Sequence, residues 1–317
     1  MRPRCSAAPR VGRRALRAAL LGLLLLPTAG PPARGAPEPA APLLGFEIRD
    51  ASGALRGWLL GTVHVGRPGE RVLDPRMEEL LRKSEALVVE IDVLALDPRR
   101  TAQLLAERGS LPPGESLAGR VSAPTLQGLL TTLDRRGLPR AAFLATEPWL
   151  VALALQERIF RESGFVPERG VDRALLERAR GRLPVIALET LEEQVALLDG
   201  LPRDVQELML REVLLQAEEA ERILGELVAS WRSGDTRALE AAVFRDLARH
   251  PELAPFYERT FFARNRRFAA EVGELLRRSE QRPLVAVGAA HLVGHRGLVS
   301  LLREAGYELR QIGAASR

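Results

Sequence analysis

The chain has 317 residues, 46 of them basic and 41 acidic, for a net charge of +5. Seven arginines lie within residues 1–35, which hold no acid, so the remainder carries 39 basic against 41 acidic residues, a net of −2. That balance, without a basic stripe interleaved with aromatics, excludes nucleic acid as the partner, and the single cysteine, Cys5, leaves the chain beyond the leader without disulfide or thiolate chemistry.

Arg2, Arg4, Arg10, Arg13, Arg14 and Arg17 precede an apolar run from Ala18 through Leu26, which Pro27 breaks. A basic region, a short apolar core and then small residues is the order of a secretory signal. The run is far shorter than the roughly 20 residues of a membrane-spanning helix. Residues 1–35 are therefore expected to be an export signal, cleaved near Ala36 after the small pair Ala33 and Gly35. It would touch the membrane only in transit and release the product to the periplasm or the exterior. Cys5 precedes the apolar core, so it is not placed for lipid attachment. Pro31, Pro32, Pro37, Pro39 and Pro42 mark a flexible spacer, assigned to residues 36–43. Residues 44–317 are long enough to bury one core without staples.

Leu44–Arg49 alternates, Asp50–Gly53 has turn chemistry, and Leu55–Val65 reads as an apolar strand, which together predict a hairpin. Asp74 and Pro75 form an N-cap and first-turn pair ahead of a helix over Met77–Ser84. Ala86–Val93 reads as a buried strand. Helical periodicity follows at Pro124–Asp134, Pro148–Phe160 and Val171–Arg180, the last leading into a strand at Pro184–Leu188. From Asp204 to Ser279 the pattern is amphipathic and charged, with breaks at Gly234-Asp235, Pro251 and Pro255. A strand at Leu284–Val287, a helix at Gly297–Ala305 and a strand at Tyr307–Ile312 complete the chain. The predicted fold is α/β: a single domain whose mixed central sheet is built from the N- and C-terminal segments, with residues 204–280 as a helical insertion.

Only four histidines occur, His64, His250, His291 and His295. Two share a context: Gly61-Thr62-Val63-His64 and Gly288-Ala289-Ala290-His291 both follow apolar strands. Sites in open α/β sheets form where strands run out at their carboxyl ends, and glycine there permits a close approach that a Cβ would forbid. Two such imidazoles with a carboxylate would make a His₂-carboxylate site for a divalent ion with positions open to water. Glu90 is the candidate carboxylate, because an acid within the apolar run Leu87–Val93 needs a metal or a hydrogen-bond network. Asp92 shares its face by the two-residue alternation of a strand. Glu189 either faces the same crevice or caps a helix beginning near Leu191. Glu147 reads as an ordinary acid at a helix N-terminus, His295 as exposed and His250 as a surface loop residue.

Taken together these residues resemble the TraB/GumN family, which includes pheromone-shutdown and Tiki proteins. The matching stretches are Leu59-Leu60-Gly61-Thr62-Val63-His64-Val65-Gly66, Val88-Val89-Glu90, Leu188-Glu189-Thr190 with Gln194, Arg264-Asn265, and Val287-Gly288-Ala289-Ala290-His291-Leu292-Val293-Gly294. The resemblance spans about residues 44–317. It implies a fold related to erythromycin-esterase and ChaN-like proteins. For Tiki-like members it implies metal-dependent proteolysis, here through His64, His291 and Glu90, with Arg264 as an accessory for a substrate carboxylate or an oxyanion.

The expected function is thus an exported, metal-dependent hydrolase acting on peptides or proteins. Mn²⁺, Co²⁺ or Zn²⁺ on His64, His291 and Glu90 would activate water, with Glu90 as ligand or as general base. A binding protein that sequesters a peptide or small ligand, and a metal-free esterase with one histidine as base, are the alternatives.

Overall fold

In the computed structural model, which describes residues 41–244, 247, 251–278 and 281–314, Asp50 accepts from the backbone N–H groups of Ser52 (2.9 Å) and Ala54 (3.1 Å). That turn folds Gly45–Arg49 (β1) antiparallel onto Leu55–Thr62 (β2). The expected signal of residues 1–35, its cleavage point, residues 36–40 of the spacer and His250 lie outside the described residues. Four further strands follow: β3 (Ala86–Val89), β4 (Val185–Ala187), β5 (Pro283–Gly288) and β6 (Glu308–Gln311). They form one six-stranded sheet in the order β4-β3-β5-β2-β1-β6. The first four strands in that order are parallel, whereas β1 runs antiparallel to both β2 and β6. The mixed sheet expected from the two ends of the chain is present, and β4 extends it on the far side.

Every residue of β3 and β5 is buried, as parallel strands covered on both faces require. The helices are α1 (Pro75–Lys83), α2 (Pro98–Gly109), α3 (Ala123–Arg135), α4 (Arg140–Leu144), α5 (Pro148–Glu162), α6 (Val171–Ala179) and α7 (Leu191–Asp199). After them come α8 (Arg203–Gln216), α9 (Ala220–Arg232), α10 (Thr236–Phe244), α11 (Ala254–Tyr257), α12 (Ala263–Arg278) and α13 (Leu298–Glu304). Asp74 caps α1 as read, accepting from Arg76 N at 2.8 Å. The breaks expected at Gly234-Asp235 and Pro251 fall between α9 and α10 and between α10 and α11. Pro255 instead sits in the first turn of α11, where its missing N–H is harmless.

Two strands are shorter than expected. Leu55–Val65 stops at Thr62, and Ala86–Val93 stops at Val89. His64 and Glu90 therefore sit just past strand ends, and the alternation that would have put Asp92 beside Glu90 does not apply. Asp92 instead accepts from Leu94 N at 3.1 Å and lies 3.8 Å from Arg180. The α2 helix, unread in the sequence, starts at Asp97, whose carboxylate takes the N–H groups of Arg99 and Arg100.

The first described residues are pinned across the sheet edge. Leu43 N bonds Ile312 O at 2.9 Å, and the Gln311 amide donates to Leu43 O and to Gly234 O. Gly234 adopts φ +65, and a Cβ built on it would stand 2.0 Å from the Pro42 carbonyl oxygen. Gly234→Ala is expected to lower the unfolding free energy by about 2 kcal/mol, from left-handed backbone strain together with displacement of residues 41–43. Urea unfolding of the two proteins tests this, and a loss below about 0.5 kcal/mol, the range of neutral surface changes, would show the contact to be dispensable.

Candidate active site

Four neighbouring parallel strands deliver their carboxyl ends to one place. Thr62 on β2 is opposite Gly288 on β5, and Val89 on β3 is opposite Ala286 on β5. The ladder runs one step beyond β3 and β4, where Glu189 N bonds Glu90 O at 2.8 Å. His64, His291, Glu90 and Glu189 thereby converge from positions far apart in the chain, the placement typical of sites in open α/β sheets. Of the two sequence readings of Glu189, the crevice is the correct one. The cap of α7 is Thr190, in a capping box with Glu193.

Between these strand ends lies the guanidinium of Arg264, the second residue of α12. Its Nε donates to Glu189 Oε1 at 2.9 Å. Its Nη1 donates to Thr260 O (2.9 Å) and faces His291 Nε2 (3.0 Å). Its Nη2 donates to Glu90 Oε2 (2.5 Å) and Glu189 Oε2 (2.7 Å). An arginine has five N–H donors, and each of them has a partner here. Thr260 belongs to a π-helical segment, Glu258–Phe262, placed directly before α12, and such segments recur at functional sites. Arg267 adds a second cation to Glu189, and the ring of Phe268 lies 5.3 Å beneath the Arg264 guanidinium. The network that a buried Glu90 demanded is this one.

The two histidines are held in opposite ways. Arginine cannot accept a hydrogen bond, so His291 Nε2 is the acceptor towards Arg264, and His291 Nδ1–H donates to Asn265 Oδ1 at 2.5 Å. Burial pushes the His291 pKa down to about 3, outweighing the pull of Glu90, with the Arg264 charge acting in the same direction as burial. His291 is a neutral ring near pH 7. His64 Nδ1 instead meets Asp172 Oδ2 at 2.7 Å, and Thr62 Oγ1 donates to the other oxygen of the same carboxylate. Burial opposes charge on His64, but Asp172, with Glu90 behind it, prevails and lifts its pKa to about 9. For Glu90, burial alone would favour the neutral acid. The facing His291, Arg264 and His64 and the Gly288 N–H, 2.6 Å from Oε1, hold it well below the usual carboxylate range.

Gly288 makes room for this assembly. A Cβ on it would stand 3.1 Å from both Glu90 Oε1 and His64 Nε2, so the glycine of the second Gly-x-x-His is there for close approach. Asp172, on α6, was not found from the sequence; the available signal was its place in the first turn of a helix that follows Gly170. Glu147 starts α5 and lies 3.5 Å from Arg120, and His295 is exposed, both outside the cluster.

Among the described residues, no three His, Cys, Asp or Glu side chains form a group that would hold a metal ion. The arrangement explains why. His291 Nε2 and Glu90 Oε2 are turned to Arg264, and Glu90 Oε1 to Gly288 N, so the expected ligand atoms face a guanidinium and an amide. As arranged, His64, Glu90 and His291 do not suit a divalent ion.

Above the cluster opens a cavity of about 410 Å³. His64, Glu90, Asp172, Arg264 and His291 line its floor, and Leu105, Trp149, Leu153, Val195 and Leu198 of α2, α5 and α7 form its walls.

The family model of the TraB/PrgY/gumN family matches residues 46–311. Among curated proteins, the chain is 28% identical over 246 residues to the uncharacterized protein YbaP of Escherichia coli (strain K12), covering 77% of this chain and 87% of the relative. The uncharacterized protein YbaP of Shigella flexneri matches to the same extent. No solved structure matches. The chain belongs to the TraB/PrgY/gumN family.

Removing one partner of a buried ion pair costs about 3–5 kcal/mol. Glu189 faces two arginines and Glu90 one. Glu189→Gln is therefore expected to destabilise the protein more than Glu90→Gln does, as read from denaturant midpoints. Equal losses would mean that Arg267 adds nothing to the cluster.

Proposed function

We propose that this member of the TraB/PrgY/gumN family is a hydrolase of amide or ester bonds in which His64 activates the attacking water. One observation carries the reading. His64 Nδ1 is committed to Asp172, while Nε2 has no protein partner among the described residues and the ring lines the cavity. A carboxylate on Nδ1 fixes the tautomer with its acceptor on Nε2 and stabilises the imidazolium formed when the ring takes a proton. Water bound at Nε2 would lose its proton to His64 as its oxygen adds to the substrate carbonyl. The imidazolium would then return that proton to the departing nitrogen or oxygen. Glu90 favours the imidazolium form of His64 from across Gly288, and Arg264 keeps Glu90 in place. Asp172 and Asn265 act as positioning residues for the two rings.

Peptides are the substrates we favour. Export by residues 1–35 and a fold kinship with erythromycin-esterase and ChaN-like proteins belong to the same proposal. A second reading retains the divalent ion, because His64 Nε2 and Glu90 Oε1 approach one point above Gly288. It requires Glu90 Oε1 to turn from the Gly288 N–H and the ion to sit beside the Arg264 cation.

A base with a pKa of about 9 is protonated at neutral pH, and only its neutral form can take a proton from water. Hydrolysis of a peptide or activated ester should therefore rise about tenfold per pH unit and level off near pH 9. His64→Gln should lower the rate by about 10²-fold or more. Asp172→Asn should lower it as well and move the break to lower pH, since Asp172 is what raises the His64 pKa. Chelators should leave the rate unchanged. Loss with chelator and recovery with Mn²⁺, Co²⁺ or Zn²⁺ would establish the metal reading instead, and stoichiometric ligand binding without turnover would make the protein a binder.

A further inference from the structure

The walls and the floor of the cavity differ in kind, and the difference restricts what can enter. The walls are aliphatic or aromatic across three helices, from Leu105 on α2, through Trp149 and Leu153 on α5, to Val195 and Leu198 on α7. Ile91 and Val93 of the loop after β3 continue this lining, and Val93 is one of the few large apolar side chains left exposed among the described residues. Charge is confined to the floor and to Glu168 and Arg173.

Those charges are already matched. All Arg264 donors are taken by Glu189, Glu90, Thr260 O and His291. Arg173, 40% exposed at the edge of the cavity, pairs through its Nε with Glu177, and Glu168 pairs with Arg161. At the floor the donor left over is His64 Nε2, which lies across Gly288 from Glu90. An anion brought to it would meet the Glu90 carboxylate, with Asp172 on the other side of the ring. At the floor each cation, His64 included, is already faced by a carboxylate, and like charges at close range disfavour a further carboxylate or phosphate there. An apolar group, by contrast, gains about 25 cal/mol per Å² on leaving water for these walls.

We infer that the substrate is an amide or ester, uncharged around the scissile carbonyl, whose bulky apolar group fills the chamber between α2, α5 and α7. At about 30 Å³ per water-sized group, the cavity takes on the order of ten methylene-sized groups. For a peptide this means an internal bond beside an apolar residue, and not the residue that carries the terminal carboxylate. The inference rests on the hydrolase reading for the word substrate, but the selectivity it predicts is one of binding.

Isothermal titration of the full-length protein at pH 7.5 with octanamide, octanoate and acetamide tests it, with octanoate release from octanamide followed separately. Octanamide should bind at least tenfold more tightly than octanoate, and acetamide should not bind measurably. Leu153→Trp, at a half-buried wall position, should weaken octanamide binding tenfold or more. Leu105→Trp on the facing helix should do the same, and circular dichroism confirms that each variant is folded. Octanoate binding as tightly as octanamide, no octanamide binding, or undiminished binding by both folded variants overturns the inference. Selective octanamide binding without turnover keeps the chamber assignment and counts only against hydrolysis.

Discussion

A single guanidinium, that of Arg264, joins the parts of this protein that are far apart in sequence. It meets the end of β3 through Glu90, the extension of β4 through Glu189, the turn after β5 through His291 and its own helix through Thr260 O. Burying one cation and two carboxylates is costly, and mutual attraction offsets that only when geometry is good and every donor is satisfied. Here every donor is, so the cluster fixes how the strand ends stand relative to α12. The positions of His64, Gly288 and the cavity floor follow from that fixed frame.

Within the frame, two histidines from almost identical sequence contexts acquire opposite protonation. Burial disfavours charge on His291, Asn265 accepts from it and offers none, and Arg264 on its other side repels a proton, so the ring stays neutral. Asp172 presents a carboxylate to His64, and the ring holds its proton well above the usual range. Gly-x-x-His is thus a placement device, setting an imidazole past a parallel strand. What the imidazole does is decided by the neighbour on Nδ1, which comes from another element: α6 for His64 and α12 for His291.

This division accounts for what was legible in the sequence. The hairpin, the buried strands and the return of the chain to the sheet at both ends could be read from alternation, apolar runs and turn residues, because these are local signals. Glu90 could be singled out because a carboxylate in an apolar run needs a partner, Glu189 because it ends a strand that could face the same crevice, and Arg264 was found through the family motif. Which partner each takes was not legible. The choice among a metal, a buried arginine and an amide for Glu90 depends on the Gly288 and Arg264 positions, set by pairings across 198 and 174 residues. Asp172 escaped for the same reason. In sequence it is one acid of a surface-like helix, Val171-Asp172-Arg173, and its meaning comes from lying against the exit of β2, where Val171 N bonds Val63 O at 2.7 Å. The end of β3 at Val89 was also beyond a local reading, since Ile91 and Val93 have the composition of a strand and face the cavity instead.

In the hydrolase proposed above, the chemistry and the apolar chamber are coupled through the dielectric. Burial already opposes charge on His64, and Asp172 and Glu90 overcome it. An apolar group seated between α2, α5 and α7 would exclude water and make the imidazolium harder to keep. The attraction to Asp172 grows too as the local dielectric falls, but Asp172 is tied to Thr62 and does not move closer. Glu90, whose oxygens are held by Arg264 and Gly288 N, does not follow either. If the loss of hydration exceeds the gain in attraction, filling the chamber lowers the His64 pKa and yields the neutral base where a carbonyl has just been placed. A charged occupant brings its own water and its own field and has no such effect. The walls that select an apolar substrate would then also prepare the base that activates the attacking water.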